Sequence, residues 1–471
     1  MSRSPLEIPC CVDVPDAFVR KARYALDMLL HPLGVQARWV ERDALEGGLY
    51  YGSRAAGLAP TVVRLAFSED APCYYAGREV YDAARATWTE WDGETWPVLF
   101  RSASDGQPDL VASAFFWLSG WQEYTVRERD QHGRFPFKAS LQYRLNTAVR
   151  PVVDAYREIL REHLEAGGIP VQPRRWGGKR WAFCPTVDID MVRKWRGRRL
   201  MGELARSIFP GEGDNSSFGE RLHAFREAVQ ARMKGGDPYV AAMKRIVDEI
   251  VGRGGTATFF LKGGAYSPYD VAYRLSDSVL TDRVEEFIGA RFEIGLHPGY
   301  HAYTHAGHLL TERKRVEALS RTPLVSVRQH YLRYDGHITP KLHQAAGFRI
   351  DSTLGFSEHE GFRNGTCIPF RLYDPVADEP LSLWEMPVAA MDAALFNRRM
   401  LDAVGACLVI EGLLETVRRF GGVCVVIWHN LLWDERDHPG WGKHFLFTLE
   451  QATAGGAYVC SLQGALQAWS L

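Results

Sequence analysis

From Trp181 to the C-terminus, short apolar runs alternate with amphipathic stretches, and the apolar runs repeatedly end in ionisable residues. The clearest is Trp181–Val187, WAFCPTV, which follows the polar GGKR and runs into Asp188-Ile189-Asp190. An apolar run of that length with polar flanks reads as a buried strand. Carboxylates at the end of a buried strand are costly unless paired, hydrogen-bonded or metal-bound. The strand must therefore deliver them to an open sheet edge or a barrel mouth. Further strands are expected at Thr256–Leu261, Arg291–Leu296, Leu324–Arg328, Phe348–Ser352, Leu383–Val388, Val423–Trp428 and Ala457–Cys460. Helices are expected at Thr281–Ala290, Thr311–Arg321, Pro340–Ala346, Leu401–Phe420 and Lys443–Ala454. Repeated βα units argue for an α/β fold with a parallel sheet covered on both faces. Periodicity alone does not say whether that sheet closes into a barrel.

The first part of the chain reads as a smaller α/β unit. Its expected strands are Pro60–Phe67 and Trp96–Arg101, and its expected helices Asp109–Tyr124 and Val149–Ala166. The aromatic stripe Phe115, Phe116, Trp121 reads as core. No catalytic set assembles in this part. Val171–Arg180, with a proline, two glycines and four basic residues, is the best boundary by composition. The expected division is an N-terminal accessory unit over 1–172 and a catalytic unit over 173–471.

A chain of 471 residues has room for two or three domains. Its net charge of -1 gives no global electrostatic case for nucleic acid. No apolar run reaches the roughly 18 residues that a membrane span needs. The N-terminus lacks the apolar core of a signal peptide, so a cytoplasmic location is expected. The eight cysteines form no CxxC pair and sit mostly in apolar runs, as reduced, buried thiols would. One segment, Met191–Phe209, crowds Arg193, Lys194, Arg196, Arg198 and Arg199 behind the acid pair. Charge runs are usually solvated faces. The sharper reading is a docking patch for a sugar-linked diphosphate or an acidic membrane surface, a peripheral contact without a transmembrane segment.

Eleven of the fifteen histidines fall at or after His297, where chemistry would then concentrate. His297-Pro-Gly-Tyr-His301 follows the expected strand RFEIGL, and an i, i+4 spacing on a helical turn would bring two imidazoles to one metal. About 0.5 such pairs are expected by chance, and His301 and His305 repeat the spacing, so placement rather than the motif carries the reading. Two imidazoles and a carboxylate leave coordination positions open, as catalytic zinc sites do, and the same donors accept iron, cobalt, nickel or manganese. Three more strand ends add Arg328-Gln329-His330-Tyr331, Asp351, and His429-Asn430. In parallel α/β folds such ends gather into one site. Trp428, Trp433 and Trp441 are equally readable as sugar-stacking surfaces or as core.

The order TVDID, TATFFL, EIGLHPGYH, RQHY and VIWHN resembles the polysaccharide deacetylase family, the NodB-homology domain of carbohydrate esterase family 4, over about residues 180–465. The resemblance rests on the ordered combination rather than on any one motif. Departures are Ile189 between the two acids, Pro298 where Ser or Thr is usual, the shorter His297–His301 spacing, and His330 where Pro is common. The stretch GFRNGTCIPFRLYD resembles a branch that carries an extra N-terminal domain.

The resemblance implies a distorted (β/α) barrel and one divalent metal, most commonly zinc. It implies Asp188 as catalytic base, Asp190, His297 and His301 as metal ligands, and Arg328 as the residue holding the base. His429 would be the late acid, with Asp351 supporting it. The implied reaction removes the N-acetyl group from an acetamido sugar in polysaccharide or glycolipid biosynthesis, on a nucleotide- or lipid-diphosphate carrier or a polymer. The alternatives are an amidohydrolase on a non-sugar amide, and an inactive metal- or glycan-binding protein.

Overall fold

The computed structural model describes residues 5–470 apart from 55, 196–200, 203, 206, 207, 209–216, 235 and 272. Arg196, Arg198, Arg199 and Phe209 of the basic segment lie outside the described residues. The strands are β1 (Leu6–Asp13), β2 (Val35–Trp39), β3 (Gly48–Gly52), β4 (Val62–Leu65), β5 (Thr87–Trp91) and β6 (Glu94–Val98). There follow β7 (Ala182–Ile189), β8 (Thr258–Leu261), β9 (Glu293–Leu296), β10 (Ser326–Val327) and β11 (Ile350–Asp351). The last are β12 (Phe370–Asp374), β13 (Glu379–Glu385), β14 (Val388–Met391), β15 (Val423–His429) and β16 (Tyr458–Val459).

The first four strands make a parallel sheet in the order β2-β1-β3-β4. β5 and β6 form a hairpin whose turn residues Asp92 and Gly93 both take positive φ, the geometry that an Asp-Gly two-residue turn favours. This smaller α/β region packs its helices Asp16–Leu30, Leu110–Leu118 and Val152–Ala166 over an aromatic core. Phe18 stacks on Tyr75 at 5.5 Å, and Phe115 meets Tyr75 edge-on at 5.0 Å. The expected helix Asp109–Tyr124 is broken at Gly120, which adopts φ 65° and starts a second short helix, Trp121–Thr125. Strands β1 and β3 were not expected, because β1 carries Pro9 in mid-strand and β3 is buried throughout without alternation.

The second sheet runs β12-β13-β11-β10-β9-β8-β7-β15-β14, with β16 added beside β7. It is parallel except for the β12–β13 pair, and its end strands do not pair, so it is a curled half-barrel. The fully buried β7 lies inside the sheet, pairing β15 from Ala182 to Asp188 and β8 from Thr186 to Ile189. The expected strand Leu383–Val388 is instead the end of β13 and the start of β14. The smaller region is tied to this sheet: Asp154 accepts from the Cys367 amide and the Thr366 hydroxyl, both at 2.8 Å, and the Tyr24 hydroxyl donates to the Arg371 carbonyl at 2.6 Å.

All eight cysteines are free, and those of the strands are buried. Trp428 and Trp433 are core residues, and Trp441 stacks on Phe396 at 4.6 Å, so these tryptophans are packing groups. Among the described residues no helix is long and apolar enough to cross a membrane.

Candidate active site

Because the strands of the half-barrel run parallel, their C-terminal ends lie on one side. There β7 ends in Asp188 and Asp190, β8 in Lys262, β9 in His297, β10 in Arg328 to His330, β14 in Asp392, and β15 in His429. Each polar side chain follows an apolar run that anchors its backbone in the core, which holds the set in place without loops of its own.

Asp188 is 2% exposed and sits against Arg328, Nη1 to Oδ1 at 3.0 Å. Arg328 is fully buried and spends its other donors on the Thr186 hydroxyl, the Ser352 carbonyl and the Ser352 hydroxyl. Burial would raise the Asp188 pKa, but Arg328, then His297 and His429, outweigh it and hold the carboxyl below its ordinary range. Asp188 is thus an ionised, oriented carboxylate. Its second oxygen, Oδ2, lies 3.7 Å from His297 Nε2.

Among the described residues, Asp190, His297 and His330 form a group whose ligand atoms all lie within 4.8 Å of one another. His297 Nε2 and His330 Nε2 each stand 3.6 Å from Asp190 Oδ1. The chemistry of this donor set fits a divalent cation. His297 Nδ1 bonds the Arg328 carbonyl at 2.7 Å, which can only accept, so Nδ1 carries the proton and Nε2 keeps its lone pair. His330 Nδ1 donates to Asp270 Oδ1 at 2.8 Å, with the same consequence. Burial, opposed by Asp188, lowers the His297 pKa to about 4 and favours the neutral, ligating form. Asp190 Oδ1 is buried and makes no directed hydrogen bond; the Lys262 ammonium lies 3.0 Å away as an ion pair, so this oxygen is a position that takes a cation. Burial would raise the Asp190 pKa, but Lys262, His330, His429 and His297 hold it far below the ordinary range.

On the other side, His429 Nε2 lies 3.9 Å from Asp190 Oδ2. Its Nδ1 donates to Asp392 Oδ1 at 2.8 Å, and its backbone N–H donates to Asp392 Oδ2 at 2.6 Å. Burial works against charge on His429, but Asp392, then Asp190 and Asp188, push its pKa up to about 10.

The structure brings together Asp188, Asp190, His297, Arg328 and His429. It does not bring His301 or Asp351 to their expected places. His301 is exposed, and its ring contact is with Tyr300 at 5.2 Å. The i, i+4 reading needs a helical turn, but Pro298 and Gly299 follow β9 as irregular chain, and the turn at Ala302–Thr304 begins only after His301. At Gly299 the chain passes close to two carboxylates, where a Cβ would press on Asp270 Oδ2 at 3.1 Å and Glu312 Oε1 at 3.2 Å. The second imidazole is His330, two residues beyond Arg328 at the end of β10. Asp351 is buried behind Arg328, bonded to His343 Nδ1 at 2.6 Å and to Thr353 Oγ1 at 2.5 Å. The carboxylate on His429 is Asp392, which the sequence marks only as an acid directly after the apolar run of β14. Lys262 and Asp270 were also missed. Lys262 directly follows β8, a placement like that of the residues singled out.

The smaller region supplies part of the surroundings. His132 Nδ1 bonds the Tyr300 hydroxyl at 3.0 Å, and Arg134 donates to the Tyr331 carbonyl at 3.1 Å. Arg333 returns a bond to the His132 carbonyl at 2.7 Å. These contacts brace Tyr331 and Leu332, which take φ 63° and 53° immediately after His330. For a bulky aromatic or aliphatic residue such φ values are costly and are held here by these surrounding contacts.

A mostly parallel half-barrel with an Asp/His/His cluster and an Arg-held carboxylate at its strand ends is the class of structure that the chain defines. Within it, the chain resembles the polysaccharide deacetylases of carbohydrate esterase family 4 and carries an additional N-terminal unit. A family described as of unknown function, DUF7033, matches residues 71–167. Similar solved structures include a Mycobacterium smegmatis protein described as a polysaccharide deacetylase, with 17% identity and a TM-score of 0.40, covering 62% of this chain and 91% of that one. Another is the Bacillus anthracis protein BA3943, described as a family 4 pseudoenzyme, with 10% identity and a TM-score of 0.32, covering 60% of this chain and 65% of that one. A third is a variant of the Bacillus subtilis peptidoglycan deacetylase PdaC, with 9% identity and a TM-score of 0.30, covering 61% of this chain and 91% of that one. At such identities a likeness is one of fold. No curated protein sequence matches the chain.

Proposed function

We propose that the chain is a metal-dependent carbohydrate N-deacetylase that hydrolyses the acetamide of an N-acetylated sugar to amine and acetate. The observation that carries this reading is an ionised Asp188, clamped by Arg328 and 3.7 Å from His297, beside a His/His/Asp donor set whose ligand atoms all lie within 4.8 Å of one another. We assign Asp190, His297 and His330 as the residues that would hold the metal, and zinc as the metal their chemistry suits best. We also assign residues 1–172 to an accessory unit and 173–471 to the catalytic unit.

A divalent metal held by Asp190, His297 and His330 would supply Lewis acidity for ionising water and polarising an amide carbonyl. Asp188 takes the proton from the attacking water, and Arg328 keeps that carboxylate ionised and aimed. His429, held protonated by Asp392, gives a proton from Nε2 to the departing amine nitrogen, which would otherwise be too basic to leave. Arg328 and Asp392 act as positioning residues, while Asp188 and His429 face the reacting atoms.

The test pairs metal analysis with substrate screening. About one zinc per chain, lost in His297→Ala, together with acetate release from a panel of acetamido sugars, would support the reading. Metal that is indifferent to His297→Ala, or release only from small non-sugar amides, would refute the ligand set or the substrate class respectively. A nucleotide- or lipid-diphosphate carrier is the companion proposal for the basic segment Met191–Phe209, in which Lys194 is buried against Asp434 and Asp437 and Arg193 pairs with Asp277 at 3.4 Å, so neither of these two is a free anion ligand. Co-sedimentation with anionic liposomes at low salt tests the lipid form, and no binding there would dispose of it.

A further inference from the structure

Among the described residues, Lys262 is a cationic side chain against the ligand cluster that the mechanism above does not use. It directly follows β8, and its side chain is 3% exposed. Its Nζ stands 3.0 Å from Asp190 Oδ1 and 3.1 Å from His330 Nε2. Those two atoms belong to the Asp190–His297–His330 group.

We propose that the Lys262 ammonium is a resident counter-ion of this group, and that a divalent metal binds only by displacing it. The inference rests on the metal-dependent reading above. Its physical core is lone-pair exclusivity. His330 Nδ1–H is committed to Asp270, so the ring has one lone pair, on Nε2. That lone pair accepts from an ammonium or ligates a metal, and it cannot do both. Asp190 Oδ1 stands within reach of the same ammonium. A buried carboxylate needs a cation nearby, and Lys262 is that cation while no metal is bound.

Lys262 is built in rather than adventitious. Its backbone N–H bonds the Tyr273 hydroxyl at 2.6 Å. Gly263 behind it packs so closely that a Cβ would lie 2.4 Å from the Glu312 carbonyl oxygen. The backbone is thus pinned, and only the side-chain torsions can withdraw the ammonium.

A competing internal cation has a thermodynamic signature. It stabilises the metal-free protein and leaves the loaded protein alone, so it weakens metal affinity by whatever its own contacts contribute. Lys262→Met keeps the apolar stem and removes the donors. Lys262→Gln is the second variant, should the first fold poorly. The experiment titrates zinc into chelator-stripped wild type, both variants and His330→Ala by calorimetry, and records melting temperatures with and without zinc.

The expected result is zinc affinity at least about tenfold tighter in Lys262→Met than in wild type. Its stripped form should melt lower than stripped wild type, and the two loaded forms should melt alike. Zinc binding by the variant but not by wild type would mean that the ammonium excludes the metal and does not yield to it, and would overturn the displacement together with the metal-dependent reading of the native chain. Equal or weaker affinity in both variants, with His330→Ala losing zinc, would overturn the displacement and leave the metal site intact. Variants that melt lower both stripped and loaded, with unchanged affinity, would assign Lys262 a purely structural role and overturn it too. No zinc in wild type or variants would overturn the metal-dependent reading and this inference with it.

Discussion

Replacing Asp270 by Asn tests whether His330 is a ligand while leaving the imidazole in place. Asp270 Oδ1 accepts from His330 Nδ1 at 2.8 Å and from the Tyr300 amide at 2.9 Å, and its Oδ2 accepts from the Tyr266 amide at 3.2 Å. Burial would raise the Asp270 pKa, but the His330 bond and the Tyr300 amide hold it below the ordinary range, so the carboxylate is ionised and its bond to His330 is charge-assisted. An asparagine can keep one oxygen in place for His330 Nδ1. Its amide then turns toward the Tyr266 N–H, which loses its acceptor, and the negative charge that makes Nε2 more basic disappears. Partners of this kind typically set about 10- to 100-fold in metal affinity, or about 1.4–2.8 kcal/mol. The assay is calorimetric zinc titration of stripped protein, with His301→Ala as control. Since the His301 ring is exposed and outside the Asp190 cluster, that control should bind like wild type. If Asp270→Asn binds zinc normally while His301→Ala loses it, the assignment of His330 fails and the ligand set reverts to the i, i+4 pair.

Three other outcomes follow from the same geometry. Asp188→Asn should retain zinc and lose about 100- to 10,000-fold in turnover, and loss of zinc would make Asp188 a ligand instead. Asp392→Asn should slow acetate release with little change in substrate binding, because His429 loses the carboxylate bonded to its Nδ1 at 2.8 Å; an unaltered rate removes that pair from the mechanism. Far from the site, Asp109 caps the helix Leu110–Leu118 while buried, accepting from Ala112 N and Ser68 N and from the Tyr51 hydroxyl, each at 2.8 Å. Burial, opposed by those bonds, raises its pKa from 3.8 to about 7. The folded state therefore binds this proton more tightly than the unfolded chain. Its stabilising contribution is complete below about pH 4 and is lost as pH rises through about 7, by on the order of a few kcal/mol. Urea denaturation across that range should show the loss in wild type and not in Asp109→Asn, and parallel curves would refute the linkage.

Much of the half-barrel was legible because local chemistry is one-dimensional. An apolar run ending in an ionisable residue, as at Val187-Asp188, Leu296-His297 or Trp428-His429, says both that a strand is buried and that its end must meet polar or charged partners. A parallel sheet then brings such ends to one side whatever the loop lengths. Strands of other kinds were less readable: β1 contains a proline, β3 lacks alternation, and β12 joins the sheet only as an antiparallel partner of β13.

By itself the sequence determined the α/β class, the run of strand ends, and the residue types available to a site. Partnership among those residues was decided by tertiary structure. His301 and His330 are equally plausible imidazoles in the sequence, and so are Asp351 and Asp392 as supports for His429. Pro298 and Gly299 send the chain away from a helical turn and carry His301 into solvent, while β10 beside β9 puts His330 against Asp190. The β14–β15 pairing puts Asp392 under His429, and the pairing of β11 with β10 keeps Asp351 behind Arg328. Which side chains meet depends on strand order and register, long-range hydrogen-bond choices that no local pattern of residues encodes.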